Sequence, residues 1–310
     1  MTTHALVEIP GADGLDVPYV DIRGERDGPQ LTVLAGVHGA EYSSIAAARE
    51  FILTLDPAEV RGRIIVAPVV NVSAFWARTP FVVPADGLNL NRQFPGDAAG
   101  SASQLLADRV FSSLVVGSDF LVDLHAGDIP EALVPFTIFE ESAVETASRE
   151  LALAYGLTHC VRQPAAARTV AGSTCAAAAD IGIPAIVAEA GQNGLLQPSA
   201  VELHLTGLRN LARSVGVLDG EVLPTPPIKQ HDGWHWLRTE RAGWGQPALP
   251  VGAEVRAGEV LGTVSDVWGD AIAEIVSPDA GTVLFLTTSP AVSADGLLLG
   301  LAREGAMRRR

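Results

Sequence analysis

Within "LAGVHGAEYSS" (34–44), an apolar run gives way to His38, two small residues and then Glu41. An imidazole and a carboxylate at i and i+3 can converge on one cation if the chain turns sharply, and Gly39 is expected to permit that turn. His125 closes another apolar run, "FLVDLH" (120–125), and can face the same end of a sheet. Two histidines and a glutamate suit zinc and leave it one position for water, whose pKa would fall to about 7. The competing reading makes the histidines solvated strand ends and Glu41 an acid at a helix start. Asp123 lies two residues before His125, on the same strand face, where it can orient the imidazole as a carboxylate behind the ligand or stand as an ordinary polar residue.

The stretch "NVSAFWARTPFVVPADGLNLNRQFPGD" (71–97) is long, aromatic and proline-rich. Long connections inside compact domains are often functional. Its Asn91 and Arg92 can hold a substrate carboxylate, since the arginine fork matches that group. Arg78 can steady the negative oxygen formed when a carbonyl is attacked. The alternative for both arginines is a tie from loop to surface acids.

The elements that must position these groups are legible as an alternation. Runs at 31–37, 63–70, 120–125 and 184–190 are short, apolar and bounded by glycine, proline or charge, and read as buried strands. The stretches 43–55 and 101–115 have helical spacing and each opens on serine, and 142–156 reads as a third helix stopped by glycine. Strands fed by helices predict an α/β sandwich with a largely parallel sheet, whose ligands sit where strands end. Three such ends carry His38, His125 and Glu189. After the proline-rich "EVLPTPPIKQ" (221–230) the helical signal fades and short strands alternate with glycine turns. This predicts two domains, 1–224 and 225–310, the second a small all-β barrel or sandwich.

The chain has 310 residues, 48% hydrophobic, enough for a sizeable core. A net charge of −15 disfavours nucleic acid and anionic membrane surfaces as partners. No apolar run reaches the roughly 20 residues of a membrane span, and the start lacks the pattern of a secretory leader. Two cysteines, Cys160 and Cys175, offer neither a disulfide framework nor a metal clip. A cytoplasmic protein is the expectation. The pair His231 and His235, with glycine between them, and the run at 158–160 read as structural.

"GVHGAEY", "APVVNVSAFWAR", "DGLNLNRQFPG", "DLHAGD" and "AEAGQNG" follow one another in an order that resembles the succinylglutamate desuccinylase/aspartoacylase family, a branch of the zinc carboxypeptidase-like hydrolases. The likeness spans residues 31–194. It implies one zinc per chain on His38, Glu41 and His125, a carboxylate grip by Asn91 and Arg92, a carbonyl polarised by Arg78, and Glu189 as general base. It also implies a small N-acyl amino acid as substrate and is compatible with a homo-oligomer. Asn89 stands where this family often has aspartate, which leaves that residue's part open. Glu189 fits the base role physically, because burial at the end of an apolar strand raises a carboxylate pKa toward neutrality. The C-terminal "VRAGEVLGTV" and "PDAGTVLFL" resemble a lipoyl- or biotinyl-type barrel, but residues 251–310 contain no lysine for a prosthetic group. The expectation is a zinc amidohydrolase removing an acyl group. Its rivals are a carboxypeptidase acting on small peptides and a non-catalytic binding or scaffold protein on the same fold.

Overall fold

The computed structural model describes residues 1–10 and 14–304. The chain begins with β1 (Thr2–Val7), β2 (Val17–Arg23) and β3 (Arg26–Ala35), then α1 (Tyr42–Thr54) and β4 (Arg61–Ala67). A long excursion holds α2 (Val72–Ala77) and α3 (Ala102–Val110), the latter running on through a wider helical turn at 111–115. Next come β5 (Phe120–His125), β6 (Glu131–Leu133), β7 (Phe136–Glu140), α4 (Glu145–Tyr155), β8 (His159–Gln163), α5 (Thr174–Asp180), β9 (Ala185–Glu189) and α6 (Pro198–Ser214). The remainder is all strand: β10 (Lys229–Thr239), β11 (Gly243–Pro247), β12 (Glu254–Val255), β13 (Val260–Ser265), β14 (Ala271–Val276), β15 (Gly281–Thr287), β16 (Ala291–Val292) and β17 (Gly296–Glu304).

The large sheet runs β1-β2-β4-β3-β5-β9-β7-β8-β10-β17-β15-β12, with β6 added to β15. Its centre is parallel, β4 to β3 to β5 to β9, and β7 then runs antiparallel to β9. Such central strands are covered on both faces, which is why they read as continuous apolar runs. On one face Phe51 of α1, Leu151 and Tyr155 of α4 and Leu208 of α6 pack on Val33, Val122 and Ile186. On the other, Leu106 of α3 and Ala178 of α5 pack with Leu34, Leu121 and Val187. The expected α/β sandwich is therefore present. Gly156 ends α4 in the left-handed region (φ 87°), as its position after the helix suggested.

Past α6, residues 219–228 carry neither helix nor strand, and the expected boundary at 224/225 falls there. The sheet does not stop at that point: β10 pairs in parallel with β8, matching Lys229 to His159 and His231 to Val161. Only β14, β13, β11 and β16 form a separate antiparallel sheet. Continuity of the large sheet lets β10, β15 and β17 reach over the ends of β5 and β9. No helix among the described residues is long and apolar enough to cross a membrane.

Candidate active site

Because β3, β5 and β9 are parallel neighbours, their C-terminal ends open on one edge. His125 and Glu189 are register partners there, and Asp123 pairs with Val187 one pleat below. His38 arrives from the turn after β3. The turn itself differs from expectation. Gly36 takes the left-handed conformation (φ 64°), whereas Gly39 does not. Gly39 is needed for clearance, since a Cβ there would sit 2.2 Å from the backbone nitrogen of Phe75 within α2. Glu41 immediately precedes α1 but does not cap it. Its side chain turns inward instead.

The Glu41 carboxylate stands between the two imidazoles. Oε1 is 2.6 Å from His38 Nδ1, Oε2 is 2.9 Å from His125 Nδ1, and Oε2 also accepts the Ala126 N–H at 2.9 Å. On the far side, His38 Nε2 is 3.1 Å from Asn89 Oδ1 and His125 Nε2 is 3.1 Å from Asp123 Oδ2. Asp123 in turn accepts the Thr174 hydroxyl. Each imidazole thus has an oxygen at both nitrogens. Burial acts to raise the Glu41 carboxyl, but the charges of His125 and His38 hold it at about 2. Burial acts against charge on His125, yet Asp123 and Glu41 push its pKa well above the ordinary value.

This donor set suits a cation. Ligand atoms of His38, Glu41 and His125 lie within 4.8 Å of one another, all three residues are buried, and together they could hold a metal ion. A divalent ion among them would replace the protons that both Nδ1 atoms need in order to face a carboxylate. The oxygens at both Nε2 atoms already fix the tautomer that presents Nδ1 inward.

A cavity of about 460 Å³ opens over this group, lined by His38, Glu41, His125, Asn91, Arg92 and Glu189 among others. That volume suits a small-molecule ligand. Among the described residues nothing donates a hydrogen bond to the Glu189 carboxylate, and burial first, with Glu41, Glu131 and Asp123 nearby, pushes its pKa well up against the pull of His125. The Asn91 amide is occupied: Oδ1 accepts the Thr174 N–H at 3.2 Å and Nδ2 lies 3.3 Å from His125 Nε2. Arg92 reaches only the Asn91 carbonyl, at 2.6 Å, and makes no ion pair among the described residues. Burial, then the charge of Arg238, lowers its pKa to about 10.

Arg78 is not brought to the cavity. It forms the left-handed end of α2 (φ 55°) and its side chain is exposed. The aromatic residue that does enter from this excursion is Phe81, edge-on to the His38 ring at 5.5 Å. The left-handed turn that carries it (φ 60°) is held by a hydrogen bond from the Phe81 N–H to Asp128 Oδ2.

Several cavity residues lay outside the sequence reading. From β10, Trp234, Trp236 and Arg238 alternate inward, and the guanidinium groups of Arg92 and Arg238 lie 5.6 and 5.9 Å from the Trp236 ring centre. The Trp236 indole N–H is buried without an acceptor. From β6 and β15, the cross-strand pairs Glu131–Thr287 and Leu133–Phe285 both face the cavity. The period-2 run of two tryptophans and an arginine was the available signal for the first group. Glu131 had none, because a three-residue strand carries too little pattern. His231 and His235 play no part here: His231 stacks on His159 and His235 pairs with Asp279.

A family model described as the succinylglutamate desuccinylase/aspartoacylase catalytic domain matches residues 27–215, more than half the chain. The chain is 29% identical over 286 residues to an N-alpha-acetyl-L-2,4-diaminobutyric acid deacetylase from Halomonas elongata, covering 88% of this chain and 82% of that protein. The product-bound ectoine utilization protein EutE (DoeB) from Ruegeria pomeroyi shares its fold, with a TM-score of 0.87 and 24% identity over 97% of this chain and 95% of that one. A succinylglutamate desuccinylase/aspartoacylase from Rhodobacter sphaeroides aligns with a TM-score of 0.85 and 25% identity, covering 98% and 96% of the two chains. The site built at the ends of β3, β5 and β9 therefore lies in a chain that belongs to the succinylglutamate desuccinylase/aspartoacylase family.

Proposed function

We propose that the protein is a zinc-dependent amidohydrolase that removes a small acyl group from an N-acyl amino acid. The observation that carries this reading is the Glu189 carboxylate, without a hydrogen-bond donor among the described residues, held in register with His125 beside a set of donors that suits a divalent metal. The deacetylase from Halomonas elongata, similar over most of its length, supports acyl removal as the reaction.

His38, Glu41 and His125 would hold the zinc, which supplies a Lewis acid that makes water nucleophilic near neutral pH and polarises the amide carbonyl. Glu189 takes a proton from the attacking water as the new carbon–oxygen bond forms. It then delivers that proton to the amide nitrogen as the carbon–nitrogen bond breaks, so that a carboxylate and an amine leave. A carboxyl kept high by burial is suited to both halves of this transfer. Arg92, cationic and without an ion pair among the described residues, binds the substrate carboxylate, with Arg238 and the Trp236 N–H beside it. Asp123 and Asn89 orient the imidazoles, and Asn91, whose backbone carbonyl accepts from Arg92, positions that arginine rather than gripping substrate. Arg78 receives no part, since its side chain lies exposed outside the cavity.

Walls from β10, β15 and residues 291–297 bound the cavity to about 460 Å³, which favours a small substrate over the carboxypeptidase reading. A comparison of N-acetyl amino acids with a tripeptide tests this. Turnover of the first and not the second is expected, and the reverse would contradict the proposal.

A further inference from the structure

Glu131 lines the cavity that opens over His38, Glu41 and His125. Its strand is anchored on β15, with Thr287 as its register partner. Its backbone is held at both ends, the N–H donating to the Asp128 carbonyl at 2.8 Å and the carbonyl accepting the Asn193 N–H at 2.7 Å. Gly127 is required beside it, since a Cβ there would come within 2.4 Å of the Glu131 carbonyl oxygen. The carboxylate is thus delivered to a fixed place.

The other acids around the site are engaged. Glu41 bridges the imidazoles, Asp123 holds His125 and Thr174, Asp128 accepts from the Phe81 and Ile129 backbones, and Glu189 stands in register with His125. Glu131 has no ion pair or side-chain hydrogen bond among the described residues, and the adjoining wall is Leu133, Phe136 and Phe285. An acid fixed in apolar surroundings without a partner is costly to the fold unless a ligand completes it. Burial first, then the charges of Glu41 and Asp128, raise its pKa to about 8.

We propose that Glu131 sets the substrate class, receiving a positively charged amine on the side chain of the amino-acid half. This rests on the deacylase reading above and adds the identity of the side chain. The cavity then has two charged ends, Arg92 and Arg238 for the carboxylate and Glu131 for the ammonium. Arg92 and Glu131 line the same cavity and form no ion pair with each other among the described residues. An acidic side chain would find no counter-charge at Glu131 and is disfavoured.

The test uses zinc-loaded protein and two ligand pairs that differ only in the side-chain amine. L-2,4-diaminobutyrate and L-2-aminobutyrate are compared by calorimetric binding, and their Nα-acetyl forms by kcat/KM. Wild type should favour the cationic member by about 100-fold in both assays. Glu131→Gln should remove most of that preference while leaving the neutral member within about threefold. Equal treatment of the two ligands by wild type, or an equal loss on both in Glu131→Gln, overturns the assignment even if deacetylation proceeds. A Glu131-dependent binding preference with no hydrolysis of either acetyl compound keeps the assignment and overturns the deacylase reading instead.

Discussion

His125 and Glu189 are register partners on the adjacent parallel strands β5 and β9, so an imidazole and a carboxylate leave the sheet at the same level and on the same edge. Neighbouring strands lie about 4.8 Å apart. That spacing puts the proposed general base next to a proposed metal ligand without requiring a loop to hold either one.

Glu189→Gln keeps the shape of the side chain and removes its basicity. The variant should retain zinc at the wild-type stoichiometry and melt within a few degrees of it, while kcat falls by about 1,000-fold. Metal analysis, thermal melting and steady-state kinetics on one preparation check this. An undiminished kcat removes Glu189 from the reaction.

Glu41 contacts both imidazoles, so its loss should dismantle the metal site rather than weaken it. Zinc at about 100 times its Kd should stabilise wild type by about 2.7 kcal/mol. Glu41→Gln should show almost none of that gain in a zinc titration followed by melting temperature. An equal gain in the variant would place the metal elsewhere.

The three arginines considered as site residues should separate cleanly. Arg92 and Arg238 flank the Trp236 ring at the cavity, whereas Arg78 is exposed at the end of α2. Arg238→Ala should raise KM about tenfold with kcat within about twofold, the pattern of lost uniform binding, and Arg92→Ala should cost more. Arg78→Ala should stay within about twofold of wild type in both constants. A large loss of kcat in Arg78→Ala would restore the role expected of it from sequence.

The three metal-site candidates were legible because each closes or follows an apolar run, and a parallel sheet sends consecutive strand ends to one edge. The base role proposed for Glu189 came only with the resemblance, since an acid ending a strand is usually solvated. The exposed position of Arg78 was not legible, because residue type and neighbourhood in sequence say nothing about which way a side chain leaves a left-handed helix end. Arg238 and Trp236 were hidden by distance: they approach the site only because β10 joins β8 in the large sheet, a parallel pairing that local pattern does not encode. The barrel-like C-terminal region was anticipated, but its continuity with the large sheet was not.

Glu131 gives a pH dependence with a definite sign. Its folded pKa of about 8 lies above the ordinary 4.5, so its contribution to stability is full below about pH 4.5 and is lost as pH rises through about 8. Glu131→Gln cannot ionise and escapes that loss. Between about pH 5 and pH 9 the melting temperature of the variant should therefore gain on wild type, in protein without ligand. A constant difference across that range would show that Glu131 titrates normally. A cationic ligand binding at pH 7 should also release a proton, seen as a binding enthalpy that depends on the ionisation enthalpy of the buffer.

Release of primary amine from a panel of N-acetyl and N-succinyl amino acids, with and without a chelator, tests the central claim most directly. The account predicts amine release from N-acetyl amino acids, abolished by the chelator and restored by zinc. Activity that persists after the metal has been removed, or no release from any member by protein shown to hold zinc, would contradict it.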